Sequence, residues 1–281
     1  MLRSWHLGKL FGIDVYIHWT FLLLVLFVVI GQMDSGVQAA VNTVALLIAV
    51  FGCVLLHEFG HALMARRYGI PTLDITLYPI GGIARLARLG DKPWEEFWIA
   101  AAGPAVNVAI AVGLGLVFLT AGEPFFAVPG GPQRTELLRY LQLSNITLVV
   151  FNMLPAFPMD GGRVLRSLLS ANLGRLRATE IAANLGAVFA VIFVFLVLFR
   201  GLNPILLLIA GFTWIAGRQE LSMVRHMDYR RRMCPSEVLP VDADIVDVAP
   251  VPSEPSFSGV IWDTNTGTWT VWRDGRPIRP S

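Results

Sequence analysis

Six apolar runs decide what this chain can become. They cover roughly Tyr16–Gln32, Ala40–Ala65, Phe97–Leu119, Leu137–Phe157, Ile181–Phe199 and Leu202–Ala216. A bilayer-crossing helix needs about 20 consecutive apolar residues. The last run is short and fits only if the bilayer thins around it or its helix is tilted. Charged residues make up 15% of the chain, where a soluble domain carries about 25%. The expected fold is therefore an α-helical polytopic membrane protein with six transmembrane helices. Arg3 and Lys9 precede the first run and no small-residue cleavage site follows it, so it reads as an uncleaved span. No internal repeat is evident.

The basic residues matter through where they lie, because a net charge of +2 is too small to argue for nucleic acid. Arg66, Arg67, Arg85, Arg88 and Lys92 follow the second run. Arg163, Arg166, Arg175 and Arg177 follow the fourth, and Arg218, Arg225 and Arg230 to Arg232 the sixth. The loop after the first run holds Asp34 and no Lys or Arg. The positive-inside rule then puts both termini in the cytoplasm of a multi-pass cell-membrane protein. Cys53 and Cys234 form no metal-binding motif, and their settings argue against a disulfide.

Two stretches are not spans. Pro71–Leu89, "PTLDITLYPIGGIARLARL", alternates, is rich in β-formers and contains a Gly-Gly pair, which predicts a short β-hairpin. A surface hairpin and a membrane-associated one fit equally, provided protein covers the backbone of the latter. From Arg218 the composition shifts. The expected domains are a six-span core over 1–217, a basic then Pro-rich acidic linker over 218–255, and a small β-hairpin over 256–281 around Thr264–Gly267.

The second run carries "HEFGH". Ionisable side chains are costly in hydrocarbon, so three together call for a reason. His57 and His61 stand four residues apart and project from one helix face, so both rings can reach one ion. Imidazole nitrogen suits zinc, and Glu58 can take a proton from an activated water. Arg66 lies nine residues beyond His57, which puts the site about 13 Å below the interface at 1.5 Å per residue. A catalytic zinc needs a third protein ligand. Asp91, Glu95 and Glu96 lie in a basic loop, whereas Asp160 follows Asn152, Pro155 and Pro158 and precedes Gly161 and Gly162. Those residues weaken helix and would let Asp160 turn toward a partner. Its alternative role is to cap the helix that follows. In "AAGPAVNV" the polar Asn107 needs a partner. Packing between helices and a direct role at the site remain equally open for it.

"HEFGH" in one span, "GPAVN" in the next and "NMLPAFPMDGGR" later together resemble the site-2 protease family of intramembrane zinc metalloproteases. The N-terminal "GKLFGIDVYIHWTFLLL" and the segment "LYPIGGIARL" resemble its six-span, sporulation-type branch. The resemblance covers about Lys9 to Arg218. It implies that His57, His61 and Asp160 bind one zinc ion per chain and that Glu58 is the catalytic glutamate. Asn152 and Pro155 fall on fixed positions of the motif that carries Asp160. Gly81 and Gly82 match a loop thought to pair with the substrate strand, and Asn107 and Asn152 are carried as further substrate contacts. The expected reaction is hydrolysis of a peptide bond within or beside a substrate's transmembrane segment. Membrane lipid and a transmembrane protein substrate are the expected partners, with no nucleic acid. Met159 stands where the family motif usually has Leu, an apolar-for-apolar change. The 64 residues from 218 to 281 are too few for the tandem nucleotide-sensing CBS domain of many members, and no PDZ domain is inserted. Two rivals are a metal-ion transporter, which would favour repeated halves, and an inactive family member serving as a membrane scaffold.

Overall fold

The structure, a computed structural model, describes residues 4–79, 81–88, 92–126, 129–130, 133–201, 203, 205–233, 259–263, 268–273 and 276–278. The chain divides into two compact units, Met1–Arg232 and Met233–Ser281. The first opens with strands β1 (Ser4–Leu10) and β2 (Ile13–His18), followed by helix α1 (Thr20–Gly31). Phe11 and Gly12 make the two-residue turn between the strands, both at positive φ (52° and 84°), as a tight hairpin whose twist matches its strands requires. Helix α2 (Val37–Arg67) then leads to β3 (Thr72–Tyr78) and β4 (Gly81–Leu86). The remainder is helical: α3 (Pro93–Thr120), α4 (Gln133–Asn152), α5 (Asp160–Leu173), α6 (Arg175–Arg200) and α7 (Ile205–Met233).

Among the described residues, α2, α3 and α6 are long and apolar enough to cross a membrane. The first apolar run is a composite, since Tyr16–His18 belong to β2 and the helix that follows has only 12 residues. The sixth run is the apolar first half of α7, which continues through polar residues to Met233, past the boundary expected at 217. Most of the expected linker, residues 234–255, lies outside the described residues.

The hairpin predicted over Pro71–Leu89 exists as β3–β4, but within a larger sheet. The strand order is β1-β2-β3-β4, and β4 ends it. Strands β2 and β3 run parallel, with Asp14 opposite Asp74 and Ile17 opposite Leu77. One face of the sheet buries Ile13, Val15 and Ile75 against Phe59 and Ala62 of α2. Strand alternation puts these apolar residues on one side, which seats the sheet on the stretch of α2 that carries His57 to His61.

The second unit contains β5 (Gly259–Asp263), β6 (Thr268–Arg273) and β7 (Arg276–Ile278), paired antiparallel in that order. Two strands flank the predicted turn as expected, and β7 adds a third. The turn itself, Thr264–Gly267, lies outside the described residues.

Candidate metal centre

Helices α2 and α3 approach closely where their side chains are smallest. A Cβ on Gly60 would stand 2.7 Å from the Ala102 carbonyl oxygen. This contact brings Gly103 and Asn107 against His57 and His61. The third element is α5, whose first residue is Asp160. The chain doubles back to reach it. A side chain on Gly161 would collide with the backbone of Met153 and Leu154, and one on Gly162 with that of Ala156 and Phe157. The two glycines thus let the first turn of α5 lie directly on the loop that precedes it. Met159, not Asp160, is the N-cap of α5; the Asp160 carboxylate faces the histidines instead.

Three ligand atoms converge. His57 Nε2 and His61 Nε2 are 3.1 Å apart, and Asp160 Oδ2 lies 3.1 Å from the first and 3.2 Å from the second. All three residues are buried. Tetrahedral zinc with bonds of about 2.0–2.1 Å sets its ligand atoms about 3.3 Å apart, so the triangle has the size a zinc ion needs. The proton positions reinforce this. His61 Nδ1 lies 2.6 Å from the Ile99 carbonyl oxygen, which can only accept, so Nδ1 carries the hydrogen and Nε2 presents a lone pair. His57 Nδ1 donates to Asn107 Oδ1 at 2.5 Å, leaving its Nε2 a lone pair as well. Two lone pairs and a carboxylate then face one another without a proton to share. Such a set is well suited to a cation. Space is reserved for it: a Cβ at Gly103 would collide with His61 Nε2 and stand 2.7 Å from His57 Nε2.

Glu58 is half-buried and points to the sheet, where its Oε2 accepts the Ala84 N–H at 3.2 Å. A Cβ on Gly82 would stand 2.5 Å from Glu58 Cγ, so β4 lies across the glutamate. Gly82 is thus beside the site, whereas Gly81 has open space around it. Asn107 is fully buried, with one end of its amide on His57 and the other on Asn145. Each end of that amide is thus engaged once inside the protein. Asn152 closes α4, half-buried, and enters none of the hydrogen bonds of the cluster. Of the other acids weighed as third ligand, Glu96 pairs with Arg166, and Asp91 lies outside the described residues. Sequence reasoning passed over Asn145 altogether, although a lone Asn in the apolar run "LQLSNITLVV" needs a partner.

Known proteins are similar to this chain. Peptidase family M50 matches residues 45–131 and 132–196. A zinc metalloprotease of Methanocaldococcus jannaschii is 39% identical over 226 residues, 80% of this chain and 62% of that protein. Stage IV sporulation protein FB of Bacillus subtilis is 30% identical over 129 residues, 45% of this chain and 41% of that protein. The chain spans roughly half the length of the sequence relatives it matches. A solved site-2 protease from Methanocaldococcus jannaschii superposes with a TM-score of 0.56 at 39% identity, over 78% of this chain and 95% of that one. With most of that solved chain covered, and the family's match running through both the histidine pair and Asp160, this protein belongs to peptidase family M50.

Proposed function

We propose that this protein is an intramembrane zinc metalloendopeptidase that cuts a peptide bond within or next to a transmembrane segment of a membrane protein. One observation carries the reading: two Nε2 lone pairs and a carboxylate oxygen meet within 3.2 Å of one another beside a glutamate, on a helix apolar enough to cross a bilayer. His57, His61 and Asp160 would hold the ion, one per chain. When bound, zinc supplies Lewis acidity that polarises a carbonyl and acidifies water.

The chain's own residues do the rest. Glu58 takes the proton from the attacking water and delivers it to the departing amine. The Ala84 N–H fixes the direction of its carboxylate. The outer edge of β4 has no strand partner among the described residues, so an extended substrate segment can pair along it at Gly81 and Gly82. The glycines leave room for that close approach. A helical substrate has its carbonyls hydrogen-bonded internally and must unwind first. In this reading α2, α3 and α6 cross the membrane, both termini are cytoplasmic, and the site lies in the cytoplasmic half of the bilayer.

The test uses purified protein and a membrane substrate in lipid vesicles. Wild type is expected to hold about one zinc per chain. Glu58→Gln keeps the zinc and loses turnover by at least about a hundredfold. Near-normal cleavage by that variant overturns the mechanism, and a metal-free wild type overturns the whole reading.

A further inference from the structure

The two histidines are oriented by different means. His61 gives its Nδ1 proton to a backbone carbonyl, Ile99, so its tautomer is fixed by α3 itself. His57 meets a side-chain amide, Asn107. An amide has an acceptor end and a donor end of nearly the same shape. Turned over, Asn107 would offer N–H to Nδ1, move the ring proton to Nε2 and remove one ligand lone pair. Something must hold the amide one way round.

We propose that Asn145 is a positioning residue for the metal site and acts through Asn107 to set the tautomer of His57. Asn145 Nδ2 donates to the Leu141 carbonyl oxygen at 2.8 Å. That oxygen can only accept, so the Asn145 amide has one orientation and its Oδ1 faces away. Asn107 Nδ2 donates to this Oδ1 at 2.8 Å. Asn107 Oδ1 is therefore turned to His57, whose Nδ1 must be the donor. Both asparagines are fully buried, so water cannot substitute for a lost partner, and a reversed amide would set oxygen against oxygen. Asn145 Nδ2 also donates to Cys53 Sγ, one helical turn before His57, at 3.3 Å. The direction of the whole relay comes from one carbonyl of α4, a helix that supplies no ligand.

This inference rests on the metal-site reading above, and its test separates the two. Zinc affinity is measured by competition with a chelating dye on purified protein in detergent, for wild type, Asn145→Leu, Asn107→Asp and the double variant. Asn145→Leu frees Asn107 to turn over, and affinity is expected to fall about 10- to 100-fold. A carboxylate at 107 presents only acceptors and cannot be reversed. In that background Asn145→Leu removes only an oxygen that faces the carboxylate, and affinity is expected not to fall by more than about threefold. Equal losses in both backgrounds, or no loss with Asn107 present, overturn the proposal while leaving the ligand assignment intact. A wild type that holds no zinc overturns both. If Asn145→Leu fails to fold, Asn145→Asp decides. Protonated in its buried site, it donates to Leu141 and accepts from Asn107 as the amide does. Affinity within about threefold of wild type is then expected, and a tenfold loss overturns the proposal.

Discussion

Among the described residues, two of the buried polar clusters between the helices solve the same electrostatic problem in opposite ways. Around Arg166 the cation belongs to the chain. Its guanidinium is 1% exposed, pairs with Glu96 of α3 and Glu220 of α7, and lies 4.9 Å from the centre of the Phe157 ring. Burial alone would pull its pKa down, but the charges of Glu96 and then Glu220 outweigh burial and leave it raised. Glu96 also sits in the first turn of α3, where the helix dipole favours an anion. Around His57, His61 and Asp160 no other side chain among the described residues supplies a cation, and three ligand atoms face one another. The first cluster is complete as folded and serves structure. The second presents only acceptors and fits an ion from outside, as the proposed zinc site requires.

The largest expected effect removes the place for that ion. Gly103→Ala puts a methyl group against both Nε2 atoms, within the space a zinc ion needs at about 2.0–2.1 Å from each. Metal content and cleavage are expected to fall below detection, with helicity and monodispersity in detergent kept. Wild-type zinc content in this variant would mean the ion sits elsewhere, and the contrast between the clusters would collapse.

The next effect is on stability. Arg166→Met deprives Glu96 and Glu220 of their shared partner. Breaking a buried pair by removing one member costs about 3–5 kcal/mol. Equilibrium unfolding in mixed micelles is expected to show a loss of that size, with the surviving folded protein still binding zinc. A loss under about 1 kcal/mol would show the ion cluster to be as loosely bound as a surface pair.

The same contrast shows what the sequence could reveal. Helical spacing alone put His57 and His61 on one face, because four residues make about one turn. The break before Asp160 was legible from Asn152, Pro155, Pro158 and the glycines. The β3–β4 hairpin was legible from its alternation, but the sheet around it was not. Asp14 pairs with Asp74 across two intervening helices, and nothing local encodes that. The apolar residues of β2 also run straight into those of α1, so strand and helix merged into one apparent span. Arg166 counted only as one more basic residue of a loop. Its burial depends on Glu96 and Glu220, 70 and 54 residues away in sequence. Asn107 was recognised as needing a partner, yet that partner, His57, is 50 residues distant.

The smallest expected effect concerns Glu58, which belongs to neither regime. Among the described residues its carboxylate pairs with no side-chain cation and accepts one backbone N–H, from Ala84. Its position therefore depends on how closely β4 lies over it. A methyl group on Gly82 would stand 2.5 Å from Glu58 Cγ and 3.0 Å from Oε1. The crowded Cγ is in the middle of the side chain, so the carboxylate must shift with it. A displacement of about 1 Å at a catalytic group costs up to about a hundredfold in rate. Gly82→Ala is accordingly expected to lower turnover about 10- to 100-fold, less than Glu58→Gln, with zinc content unchanged. Gly81→Ala is the control. That residue has φ +141° and nothing near its Cβ position, so the substitution strains the strand without touching the glutamate. Turnover measured alongside zinc content separates the outcomes. Equal losses in both variants would trace the effect to β4 itself, its backbone or its room for substrate, and lost zinc in Gly82→Ala would mean that Glu58 and the ligand cluster move as one unit.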